Sequence, residues 1–142
     1  MESSRWLDVM FAVCGAAGFA VVFRTPRRYF VQTMCVGVAA VLGLKMLPAT
    51  WHDGGKALVT SLGIACLSHF FARITSAPAQ CFLIPGVIFL VPGTTIYRAL
   101  SSALERRYAD AVTLGATAAA ITVGVSFGIL LANWLVPSRK TL

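Results

Sequence analysis

Residues 90 to 105 read LVPGTTIYRALSSALE, and within them Thr94, Arg98, Ser101 and Glu105 recur at spacings of four, three and four. On a helix that spacing puts all four on one face. A guanidinium in such a stripe suits a carboxylate, which it binds through two parallel N–H donors. Directly before the stripe stands Pro92-Gly93, the dipeptide best suited to ending a helix. A helix that restarts after it presents unpaired amides and a partial positive charge, a second means of holding a small anion. Thr94 and Thr95 are placed to cap that new helix. Pro92, Gly93, Thr94, Thr95, Tyr97 and Arg98 therefore form the candidate substrate-binding set. Tyr97 packs against the break or bonds a freed carbonyl, and the plainer role for Arg98 is to anchor the helix end.

Three other features carry chemistry at first sight. Asp8 is the one acid near the interior of a clearly spanning run, and an ionisable group at depth is costly and usually functional. It is the candidate for proton coupling, against a plainer role as a carboxylate near a helix start. The pentapeptide GVSFG, residues 124 to 128, reads G-x-S-x-G. A hydrolase needs that pattern on a sharp strand-to-helix turn, whereas here it falls inside a long apolar helix. A pairing of Ser126 with His69 is the remaining enzyme alternative, an intramembrane serine hydrolase with no obvious acid to orient the histidine. Asn133 lies in register with Gly115, Ala119, Thr122 and Ser126, a polar stripe that either lines a path or bonds between helices. The four cysteines form no C-x-x-C and read as small buried hydrophobes, so no metal or other cofactor is expected.

The elements that must position these residues follow from bulk composition. Of 142 residues 58% are hydrophobic and only 12% charged, and the mean hydropathy is +0.80. So few charges cannot clothe a soluble domain of this size. The expected fold is all-α, a polytopic integral membrane bundle forming one domain over residues 1–142. Five spans are expected, at about 6–23, 29–47, 56–72, 80–104 and 111–136, with the fourth broken at Pro-Gly. Between Gln80 and Tyr97 no residue is charged, yet Pro85-Gly86 and Pro92-Gly93 both interrupt the run. In hydrocarbon an unmade backbone hydrogen bond costs several kcal/mol, so such interruptions survive only against protein or a water-filled cavity. A four-span alternative lays residues 29–47 along the interface. PATWHDGG, residues 48 to 55, is expected to be a turn-rich loop. The first run, which continues to Phe23 and meets RTPRR, reads as a retained helix rather than a cleaved leader.

Small residues mark helix contacts. Thr113, Thr117, Ala120, Gly124 and Gly128 form one stripe, and Ser61, Ala65, Ser68 and Ala72 another. Gly124, Gly128 and Ala120 are the candidate packing positions. The net charge of +7 sits at segment ends, where it sets topology and meets lipid headgroups rather than nucleic acid. Five spans place Arg5, Lys45, Lys56, Arg98, Arg106 and Arg107 on one side and Arg24, Arg27, Arg28, Arg73, Arg139 and Lys140 on the other. That balance is even. Arg98 lies within a span rather than a loop, which tips the reading to N-terminus outside and C-terminus cytoplasmic.

Two separated motifs carry a resemblance. GFAVVFRTPRRYFV followed by a small-residue helix resembles the opening of the threonine/serine exporter (ThrE-type) transmembrane domain. LVPGTTIYRAL resembles that family's signature, an L-V-P-G followed four residues later by Tyr, often Tyr-Arg. ARITSAPAQ, between the third and fourth spans, also fits. One departure stands out: Phe89 occupies a position where relatives often carry a further proline. The resemblance implies a secondary exporter in the inner membrane, moving small hydroxy amino acids or related organic acids. It also implies the smaller of two subunits, working with a larger transmembrane partner or with itself. A membrane assembly protein with no transport path is the structural alternative.

Overall fold

The computed structural model describes residues 2–136, apart from the side chains of residues 2–6, 8 and 9. Its regular structure is helical throughout. Helix α1 spans Glu2–Val22, and a 3-10 turn at Arg27–Tyr29 leads into α2, Phe30–Met46. Helices α3, Asp53–Thr75, and α4, Gln80–Val87, follow. A second 3-10 turn at Ile88–Leu90 precedes α5, Gly93–Leu104, and α6 closes the bundle at Tyr108–Leu135. Among the described residues four stretches are long and apolar enough to cross a membrane: Arg27–Met46, Asp53–Thr75, Gln80–Leu104 and Tyr108–Leu135. Helix α1 adds a shorter apolar run, Met10–Val22. The chain is an all-α polytopic membrane bundle.

The stretch that the four-span alternative laid along the interface is the middle of the molecule. Helix α2 packs against α1, α3 and α4 at once. Its Thr33, Val36 and Ala40 are fully buried, and Val36 meets Ile64, Phe82 and Leu90 in the core. Phe82 lies edge-on to Tyr29 at 5.5 Å and tilted to Phe71 at 6.1 Å. Two fully buried hydroxyls are satisfied within their own helices: Thr33 donates to the Tyr29 carbonyl at 3.0 Å and Ser68 to the Ile64 carbonyl at 2.7 Å. Such back-bonding lets polar side chains sit in a dry interior at little cost.

Helices α3 and α6 share the most extensive contact, and glycine makes it possible. A Cβ on Gly54 would come within 2.8 Å of the Ala120 carbonyl oxygen. A Cβ on Gly124 would collide with the Gly54 carbonyl, and one on Gly128 with the Ser61 hydroxyl and the Leu58 carbonyl. Gly54 is therefore no turn residue. The expected loop stops short, α3 starts at Asp53, and the Gly-Gly pair lies in its first turn, where the α6 backbone passes against Gly54. Gly54 meets Ala120, Leu58 meets Gly124 and Leu62 meets Gly128, so the two helices run parallel. Parallel neighbours require the intervening chain to return along the bundle, which Gln80–Leu104 does.

The same register offsets the two helices. Ala120 lies about three turns into α6, so roughly 18 Å of α6 continues past the start of α3. That extension packs against α5 instead. The α5–α6 turn is tight: Arg106 adopts a left-handed φ of 60°, and the Arg107 amide reaches back to the Ser102 carbonyl at 2.8 Å. This is the Schellman closure of a helix end.

Candidate functional site

The two Pro-Gly pairs of the fourth segment behave differently. Helix α4 runs through Pro85 without ending. Pro85 is fully buried, and Gly86 admits α2, since a Cβ there would stand 2.6 Å from Val36 Cγ1. Only the second pair interrupts the helix. Val91 is extended, with φ −65° and ψ 126°, and Pro92 follows with ψ 45°. The Gly93 amide folds back on the Val91 carbonyl at 2.8 Å, and the Ile96 amide takes the Pro92 carbonyl at 2.9 Å. Phe89, at the non-proline position, packs its ring where Gly15 of α1 and Gly37 of α2 leave room, edge-on to Phe19 at 6.2 Å. The turn before the break is thereby held to the bundle.

Thr94 and Thr95 do not cap α5. Pro92 occupies the capping position and no side chain bonds there, because the threonines already lie in the first helical turn. Their amides find no carbonyl in the preceding turn. Val91, Gly93 and Thr94 are exposed, while Pro92 and Thr95 are half-buried.

Beyond the break, α5 and α6 enclose an open groove of about 480 Å³. From α5 it is lined by Tyr97, Arg98, Ser101 and Ser102, and from the turn and α6 by Arg107, Asp110 and Thr113. Of the expected substrate-binding set, Tyr97 and Arg98 line this groove, whereas Pro92, Gly93, Thr94 and Thr95 do not. Its charges are unevenly committed. Arg107 bonds Glu105 at 2.6 Å and stands 3.6 Å from Asp110, but Arg98 makes no ion pair among the described residues. The groove therefore offers one uncompensated guanidinium beside an arginine–carboxylate pair. Its volume falls within the range of about 300–1,000 Å³ usual for small-molecule sites.

Ser102, Arg107, Asp110 and Thr113 were missed by the sequence reading. The polar stripe pointed to Ser101, while Ser102 belongs to a second, small-residue row with Thr95 and Ala99 that turns toward α6. That spacing was visible. The contributions from α6 were not, because they depend on how tightly the α5–α6 turn folds the two helices together.

The other candidates lie elsewhere. Asp8 is on α1, and its side chain lies outside the described residues. Gly124, Gly128 and Ala120 lie on the α3 contact, away from the groove. Ser126 is exposed and donates to the Thr122 carbonyl at 2.9 Å. His69 is buried and shares a 2.8 Å hydrogen bond with the Asn133 side chain, so the Ser126–His69 pairing is not formed. Asn133 bonds between helices.

No curated protein and no solved structure matches the chain. A family match covers residues 8–135, which takes in most of α1 and every element after it, including the break and the groove. Its description is threonine/serine exporter, ThrE. Fold, broken segment and family match agree: the chain is a membrane protein of the threonine/serine exporter family.

Proposed function

We propose that the chain is a membrane subunit of a secondary exporter for small amino acids or related organic acids, and that its substrate rests in the α5–α6 groove. The supporting observation is the uncommitted Arg98 guanidinium in an open, partly polar recess. Arg98 takes the substrate carboxylate, and Asp110, loosely held by Arg107, meets its ammonium group. The unpaired amides of Thr94 and Thr95 mark the route between the groove and the break. Asp8 carries the coupled proton.

With five crossings the α5–α6 turn lies on the same side as the N-terminus. N-terminus outside, in the inner (cytoplasmic) membrane, then opens the groove on the release side and leaves the C-terminus cytoplasmic. A larger transmembrane subunit, or a second copy, completes the path. The exposed small residues Gly115, Ala119 and Thr122 on α6 suit the close approach of another helix.

Efflux of labelled threonine from vesicles holding the chain with its partner tests this reading. Arg98→Ala lowers efflux by about tenfold or more, the usual loss of a charge-assisted contact. Undiminished efflux with an altered assembly size would instead identify a membrane assembly protein.

A further inference from the structure

Three serine or threonine hydroxyls line the groove, and their situations differ. Thr113 donates to the Ala109 carbonyl at 2.9 Å, and Ser101 turns toward Glu105 at 3.5 Å. Ser102 is only 5% exposed, lines the recess and has no hydrogen-bond partner among the described residues. The Thr60 hydroxyl also lacks a partner, but it is shut inside the bundle on α3, away from the groove. Thr33, Ser68, Thr75, Thr122 and Ser126 each bond the carbonyl one turn back, the default for a helical hydroxyl away from water. Ser102 forgoes that bond. Its own carbonyl, meanwhile, is pinned by the Arg107 amide, which fixes the backbone beneath the side chain. A hydroxyl on a fixed backbone, without a protein partner and open to the recess that it lines, is placed to bond a ligand.

We infer that Ser102 is the specificity-determining residue of this groove, pairing with the hydroxyl on the substrate's own side chain while Arg98 holds the carboxylate. The inference rests on the groove being the substrate site. A hydroxyl-bearing substrate completes the hydrogen bond, whereas an isostere with a methyl in its place leaves Ser102 buried and unpaired. Sites built to bond a hydroxyl reject the analogue lacking it for this reason. Apolar contact alone distinguishes such isosteres poorly.

Binding of L-threonine and its isostere L-valine to the purified chain in lipid nanodiscs tests the assignment. The unsubstituted chain is expected to prefer threonine by about tenfold. Ser102→Ala brings the ratio close to one, by weakening threonine and by relieving valine of the unpaired hydroxyl, whereas a merely structural serine would weaken both alike. Arg98→Ala weakens both ligands together and keeps the ratio. A threonine preference that survives Ser102→Ala, while Arg98→Ala abolishes binding, overturns the role of Ser102 and leaves the groove standing. Binding that neither substitution alters, or no saturable binding of either amino acid, overturns both.

Discussion

At the scale of single residues, the same amino acid serves opposite purposes in this chain, and only its neighbours decide which. Gly128 is buried where a Cβ would meet the Leu58 carbonyl and the Leu62 amide of α3. Gly115, on the same helix, has nothing within 4 Å of its would-be Cβ. Gly128→Ala should therefore lower stability by about 1–3 kcal/mol through overpacking against backbone that cannot yield. Gly115→Ala should raise it by up to about 1 kcal/mol, because alanine is the better helix former. Thermal unfolding in detergent, followed by tryptophan fluorescence, separates the two, and like-signed shifts would contradict the packing described. The stripe holding Gly124 and Gly128 was legible from spacing alone. Gly54 was not, because Gly-Gly beside Trp, His and Asp has the composition of a turn, and nothing local announces that another helix arrives there. Arg98 was legible through its place in the polar stripe that follows the break. Ser102 was overlooked because a polar stripe draws attention to its exposed members rather than to a serine facing inward.

At the scale of elements, the fourth segment is divided between two neighbourhoods. Helix α4 belongs with α1, α2 and α3, whereas α5 packs on the extension of α6. The sequence contains two proline–glycine pairs, and local rules treat them alike. The first is absorbed because α2 presses against Gly86 and the helix continues through a buried Pro85. The second falls where the chain leaves the core, and there the backbone turns out of helix. Pro92→Ala restores a donor and removes the ring. Spin labels on Cys81 and on a Ser101→Cys substitution, with the other three cysteines replaced by serine, should shift to a separation of about 30 Å, the span of roughly twenty continuous helical residues. An unchanged separation would mean that packing on α6, rather than the proline, directs α5.

At the scale of the whole molecule, the parallel contact of α3 with α6 and the returning segment between them place the groove at one end of the bundle. It lies alongside the stretch of α6 that outruns α3. The membrane class was legible from composition, with only 12% charge, and its helical form from apolar runs long enough to span as helices. The groove was legible only in part: the stripe named one wall, and the other is a product of topology. Whether water reaches that recess decides the whole account. In a background free of native cysteines, Ser101→Cys should react with a membrane-impermeant thiol reagent in intact vesicles, and threonine should slow the reaction. Ile96→Cys and Leu100→Cys, at exposed apolar positions of the same helix, should stay inert in lipid. Reaction at position 101 with threonine protection is the predicted result, and inertness there equal to that of positions 96 and 100 would contradict it.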